Sequence, residues 1–329
     1  MSKKICGIGN AIVDFLIPCS EEDLVKLNIT KGSMTLIDEN FIAQIDKNKI
    51  TKSSLGGSVC NSIVTINQLN NATDFIGCVG NDEAGKVFFN DLKNANSNFC
   101  GLVYEGAKTA RSYIFITPDG QRTMCTYLGC ASDFNDLIIK KINFSNIDIL
   151  LIEGYLFYNA NIHKFIDDLI IIAKKNNIKI ALSLSDFNCV KILHQNFIEL
   201  LKNHVDIVFA NELEILNLAQ IDNFNLTNLS QFLFNINPQL ISIVTRSDKG
   251  CVIFYDQNIQ EFEGLKIKKI IDSTGAGDIF AAGFIYKFNQ KDNFEQCANF
   301  ANFLASEIIQ NYGARFSKDQ LSKILTKNS

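Results

Sequence analysis

An alternation repeated along most of its length restricts this chain to a few architectures. Short, continuously apolar runs at 4–8, 147–152, 178–184, 205–209 and 240–245 are separated by longer stretches with helical spacing. A run that is apolar at both odd and even positions has no wet face, so it reads as a strand covered on both sides of a parallel sheet. Between two of these runs, residues 162–175 set Phe165, Ile166, Leu169, Ile172 and Ala173 at helical spacing, and 197–201 lies in a second such stretch. Strand then helix, repeated, predicts an α/β fold with a mainly parallel central sheet between two helical layers.

One region breaks the rhythm. Residues 110–117 and 121–128 read as two strands joined by the turn Pro118-Asp119-Gly120, in which proline presets φ and glycine supplies a left-handed residue. With the extended segments 13–18 and 32–37, this hairpin is expected to form a small sheet standing apart from the main one, placed to cover a site. A single domain over residues 1–329 is the simplest organisation, because no repeat, low-complexity linker or proline-rich boundary divides the chain.

Composition removes several function classes. With 47% hydrophobic and 20% charged residues the chain has the make-up of a globular protein, and a net charge of -4 without a long basic run lacks the footprint of a nucleic-acid binder. The ten cysteines show no framework spacing and no C-x-x-C, and the three histidines share no ligand spacing, so core thiols in a reducing compartment are expected and structural zinc is not. Gly7, Gly9, Asn10 and Asp14 interrupt the first apolar stretch, which therefore reads as a strand and not as an export signal. No run reaches the ~18 apolar residues of a membrane span. The expected location is the cytoplasm, and the expected state is a monomer or homodimer.

The string Asp272-Ser273-Thr274-Gly275-Ala276-Gly277-Asp278 precedes an apolar run at 279–288 with the make-up of a helix. Glycines at a helix start let backbone N–H groups approach an anion, and the helix N-terminus adds partial positive charge. An aspartate at the rim of such a cradle can take the proton of a hydroxyl that attacks phosphorus. Taken alone, the string is equally the ordinary make-up of a helix start.

The whole string, however, resembles the D-T-x-G-A-G-D signature of the ribokinase (PfkB) family of small-molecule kinases. The resemblance extends from Gly9-Asn10-Ala11-Ile12-Val13-Asp14 through Gly56-Gly57-Ser58-Val59-Cys60-Asn61 to Gly313-Ala314-Arg315. It implies a ribokinase-like three-layer α/β/α sandwich with a small β-sheet lid. It also implies a catalytic base at Asp278 and an anion hole at Gly275, Ala276 and Gly277, with Arg122 over the transferring phosphate. On the acceptor side it implies Asp14 on sugar hydroxyls, Asn10 near the base or sugar, Gly56 and Gly57 against the sugar, and Asn61 donating to a hydroxyl. On the donor side it implies ATP contacts at Thr245, Arg246, Gly250 and Thr274. Asn211 and Glu214 form the family's N-x-x-E element, which implies Mg²⁺ held near the phosphates, and the family leaves room for a monovalent cation such as K⁺.

Within the family, the strings at 9–14, 117–129 and 153–156 look most like the adenosine kinases, particularly a bacterial branch. That likeness implies a purine held between Met34, Leu36 and Tyr155, and transfer from ATP to the 5′-hydroxyl of adenosine. A kinase of another nucleoside or of a simple sugar stays open, as does a non-catalytic nucleoside-binding regulator. Two further motifs are set aside. Gly80-Asn81-Asp82-Glu83-Ala84-Gly85-Lys86 fits G-x-x-x-x-G-K, but Val87 stands where the hydroxyl of a P-loop is needed, and Gly7-Ile8-Gly9 lacks the third glycine of a dinucleotide fingerprint.

Overall fold

The structure is a computed structural model that describes residues 4–326. Its centre is a nine-stranded sheet in the order Asn258–Phe262, Cys251–Tyr255, Ile241–Thr245, Ile207–Asn211, Lys179–Ser183, Ile147–Glu153, Lys4–Ile8, Thr73–Ile76 and Asn98–Phe99. All neighbours run parallel except at one edge, where Cys251–Tyr255 and Asn258–Phe262 turn back antiparallel. The five runs expected as strands are all present, each within two or three residues of its expected limits.

Alternate residues of each central strand feed different cores. Leu150, Ile152, Ile180, Leu182 and Val208 join one cluster with Phe165, Ile166 and Leu169 of helix Ile162–Lys175. Ile149, Leu151, Ala181, Ile207 and Phe209 join the other, with helices Ser58–Gln68 and Ala276–Asn289. This double burial is why the strands read as unbroken apolar runs, each fully covered aliphatic side chain contributing about 1.5–3 kcal/mol. Gly7 has a packing role in it. A Cβ there would lie 2.4 Å from Ile63 and 2.7 Å from Val59, so its absence lets helix Ser58–Gln68 settle on the strand.

The hairpin Ala110–Ile116 and Arg122–Tyr127 belongs to a second, five-stranded sheet in the order Met34–Leu36, Arg122–Tyr127, Ala110–Ile116, Ile12–Pro18 and Lys52–Gly56. The last of these strands was not expected: its sequence Lys-Ser-Ser-Leu-Gly has only one large apolar residue, and pairing with Ile12–Pro18 makes it a strand. One face of this sheet carries Ile17, Tyr113, Phe115 and Cys125 into a small core with Leu24. Among the described residues no helix is long and apolar enough to cross a membrane, and all ten cysteines are free, eight of them buried.

Candidate active site

The chain enters the large sheet at Lys4–Ile8 and later extends it on both sides, toward Thr73–Ile76 and toward Ile147–Glu153. Such a reversal leaves a crevice outside the carboxyl ends of the strands. Asn10, Glu153, Asn211 and Thr245 lie at or just beyond those ends, and Asp14 follows on strand Ile12–Pro18 of the small sheet.

Helix Ala276–Asn289 starts beside this crevice with Gly275 as its N-cap at φ 78°. A side chain at Gly275 would be strained by that φ and would meet the Ala314 carbonyl oxygen at 2.6 Å, whereas a Cβ at Gly277 meets no protein atom within 4 Å. Gly275 is thus fixed by its turn, and Gly277 borders open space. Asp278, in the first turn, receives Ser58 Oγ on Oδ1 at 2.6 Å and Asn61 Nδ2 on Oδ2 at 2.9 Å, while Ser62 Oγ donates to its backbone carbonyl at 2.8 Å. Burial pushes the Asp278 carboxyl up to about 6, against the pull of the bonds from Ser58 and Asn61.

Asn61 spends one of its two side-chain N–H donors on Asp278, and its buried acceptor Oδ1 has no protein partner. Gly56 and Gly57 also serve the protein's own geometry. A Cβ on Gly56 would sit 2.4 Å from the Asp14 carboxylate, and Gly57, at φ 95°, would press a Cβ to 2.4 Å from the Asn10 carbonyl oxygen. Burial raises Asp14 to about 7, with a further rise from Asp278, while Arg315 and Arg122 pull it back.

Arg122 pairs with Asp272, whose Oδ1 also accepts Thr274 N at 3.0 Å and Thr274 Oγ1 at 2.6 Å, and whose Oδ2 accepts Gly313 N at 2.7 Å. One buried carboxylate thereby ties the small sheet to the glycine turn and to the loop after helix Phe294–Ile308. A cavity of about 700 Å³ opens beside it, bordered by Asp14, Arg122, Thr274 and Arg315.

On the other flank, Asn211 caps helix Glu212–Ala219 through a reciprocal pair with Glu214. Asn211 N and Nδ2 donate to the two Glu214 oxygens at 3.0 and 2.6 Å, and Glu214 N donates back to Asn211 Oδ1 at 2.9 Å. Burial lifts Glu214 to about 7, and the charges of Asp186 and Asp278 add to the rise. Arg246 is held by Glu212 at 3.2 Å, by Glu261 at 3.4 Å and over the Phe224 ring at 3.9 Å. Thr245 Oγ1 donates to the Ala210 carbonyl at 3.4 Å, and Gly250 turns at φ 81°.

Met34 and Leu36 lie exposed on the edge strand of the small sheet, and Tyr155 follows the large-sheet strand, stacked on Tyr158. Asn10 is almost wholly buried, with both ends of its amide engaged by Glu153 and Ser132. Sequence reasoning left Ser58, Glu153 and Asp272 without roles, although each stands inside a string it singled out. The two motifs set aside are accounted for: Gly80 N and Gly85 N are taken by Thr109 and Asp82, Lys86 pairs with Glu83, and a Cβ on Gly9 would strike Glu153 at 2.5 Å.

Comparison with known proteins gives concordant matches. The profile of the pfkB family carbohydrate kinases fits residues 22–321. The chain is similar to the crystal structure of adenosine kinase from Sinorhizobium meliloti, with 28% identity, TM-score 0.87, and coverage of 99% of this chain and 100% of that one. It is also similar to a probable sugar kinase from Rhizobium etli, with 30% identity, TM-score 0.84 and 99% of both chains covered. Adenosine kinase 2 of Arabidopsis thaliana is 21% identical over 95% of each chain.

Proposed function

The chain belongs to the pfkB family of carbohydrate kinases, phosphotransferases with an alcohol group as acceptor, and within it we propose that the acceptor is adenosine, phosphorylated at its 5′-hydroxyl by ATP. The observation that carries the reaction is Asp278 at the start of helix Ala276–Asn289, its carboxylate held by Ser58 and Asn61 beside the open flank of Gly277. Each carboxylate oxygen has a second lone pair free for a proton. With a pKa near 6 the group is mostly ionised at neutral pH yet basic enough to assist a hydroxyl.

Asp278 takes the proton of the 5′-hydroxyl as its oxygen bonds to the γ-phosphorus, and the bond to the β–γ bridging oxygen breaks to release ADP. N–H groups of Gly275, Ala276 and Gly277 stabilise the charge on the transferred phosphoryl. Arg122 brings a planar cation to the cavity wall beside Thr274 for the same purpose. Asp14 accepts from the two ribose hydroxyls, and Asn61 Oδ1 offers a further acceptor. Met34, Leu36 and Tyr155 supply apolar surface for the purine, while Thr245 and Gly250 border the nucleotide.

Among the described residues no group of three or more His, Cys, Asp or Glu side chains could cage a metal directly. The buried Glu214 carboxyl, which feels the charges of Asp186 and Asp278, would hold Mg²⁺ with Asn211 through the ion's water shell. When bound, it neutralises charge on the ATP phosphates.

The deciding experiment is an ADP-release screen over nucleosides and free sugars. Adenosine is expected to exceed ribose and fructose in kcat/KM by about 10², because burial of a flat base supplies binding energy that a free sugar lacks. A free sugar as the better acceptor moves the assignment to a sugar kinase, and ADP release with no acceptor at all removes it.

A further inference from the structure

Glu153 ends the central strand Ile147–Glu153 at 1% exposure, and the proposed chemistry gives it no task. Its three donors are neutral N–H groups: Asn10 Nδ2 at 2.8 Å and Asn10 N at 3.3 Å on Oε1, and Val59 N at 3.1 Å on Oε2. A buried carboxylate that collects only N–H groups is there to accept, since each donor would otherwise be left unpaired in the interior. Gly9 leaves the space it needs.

The two segments it joins are the ones that build the acceptor side. Helix Ser58–Gln68 begins after Gly57, which has no side chain with which to cap it. The first helical N–H groups are orphans unless something else accepts them, and Glu153 reaches across from the sheet to take that of Val59. Ser58 and Asn61, on the same first turn, are the residues that grip Asp278. Asn10, the other partner, presses its carbonyl against Gly57 and stands four residues before Asp14.

From this we infer that Glu153 is a positioning residue: it sets the start of helix Ser58–Gln68 against Asn10, and so aims Ser58 and Asn61 at the base. The inference rests on the reading of Asp278 as that base. Its specific content is hydrogen-bond polarity, because the site needs an acceptor on both oxygens. In Glu153→Gln the amide NH₂ must face either Asn10 or Val59, and donor meets donor. Adding Asn10→Asp reverses the side-chain half of that pairing. The carboxylate introduced at position 10 then accepts from the amide NH₂ introduced at position 153, whose oxygen still accepts from Val59.

The test is a double-mutant cycle of Glu153→Gln and Asn10→Asp, with kcat and both KM values measured and hydrogen exchange followed at the start of helix Ser58–Gln68. Glu153→Gln is expected to lower kcat/KM for adenosine by about 10², since small displacements at a reacting centre have effects of that size. The KM for ATP should stay within about twofold, because the donor side is built on other strands, at Asn211 and Thr245. Asn10→Asp alone should also be impaired, by facing two buried carboxylates. The double variant should recover at least tenfold over Glu153→Gln, with exchange at the helix start slowed again. Wild-type kcat/KM in Glu153→Gln, or a double variant no better than the product of the singles, overturns the inference. Wild-type protein that phosphorylates no alcohol would instead remove the kinase reading, and unchanged exchange at the helix start in Glu153→Gln would still overturn the positioning role.

Discussion

Replacing Asp278 by Asn separates the two things the carboxylate does. Shape and neighbours survive the change: Ser58 can donate to the amide oxygen, and Asn61 has an unpaired Oδ1 ready to accept from the new NH₂ after a flip of its own amide. What disappears is the base. General-base catalysis is worth about 10²–10⁴ in rate, so kcat should fall in that range, equivalent to about 3–5 kcal/mol of barrier, with the KM values for ATP and acceptor little altered. The pH profile gives a second reading. Wild-type kcat/KM should rise with pH through the Asp278 value of about 6, and in the variant only the part of the rise that Asp14 and Glu214 set at about 7 should remain. Stability should move the opposite way to activity. Because the folded pKa lies above the free value of 3.8, the fold favours the protonated form; that stability is complete below pH 3.8 and lost as pH rises through about 6. A neutral Asn escapes that loss, so at pH 8 the variant should be more stable, by at most about 3 kcal/mol at ~1.4 kcal/mol per pH unit and less after its weaker bonds to Ser58 and Asn61. Turnover measured by coupled ADP release and urea denaturation at pH 4 and pH 8 test both halves. A variant with near-wild-type kcat refutes the base, and one that is destabilised at pH 8 refutes the burial argument.

Other substitutions probe the surroundings of the base. Gly277→Val should melt near the wild-type temperature, since its Cβ meets no protein atom, yet lose about 10² or more in kcat by filling the phosphoryl space; unchanged kcat/KM would put the anion hole elsewhere. Gly275→Ala, at φ 78° and against Ala314, should instead cost about 1–3 kcal/mol in chemical denaturation, and a neutral result would contradict the strained turn. Arg122→Ala strands the buried Asp272 carboxylate and should destabilise by about 3 kcal/mol, with part recovered on adding Asp272→Asn; strictly additive losses in the cycle would deny the pair a structural role. Glu214→Gln keeps most of the helix cap and should weaken apparent Mg²⁺ affinity more than adenosine affinity when turnover is titrated with each, whereas equal weakening would leave Glu214 as a capping residue alone.

Whatever depends on neighbours along the chain was legible before any packing was known. Runs apolar at odd and even positions specified doubly covered strands, 3.6-residue spacing specified helix Ile162–Lys175, and Pro118-Asp119-Gly120 specified the hairpin. The glycine turn before Asp278 and the Asn211–Glu214 cap are equally local, each complete within one helix start. Folding in three dimensions chose the partners. Ser58 and Asn61 reach Asp278 across 220 and 217 residues, and Glu153 reaches Asn10 across 143. No periodicity encodes such a choice, because spacing says which side of an element a residue faces and not which element packs there. The same holds for the strand Lys52–Gly56, which becomes a strand only by pairing, and for the acidity of Asp14, Glu153 and Asp278. A carboxylate's pKa is set by how much water the folded chain removes from it and by which N–H and O–H groups arrive in exchange, and both are properties of the packed molecule.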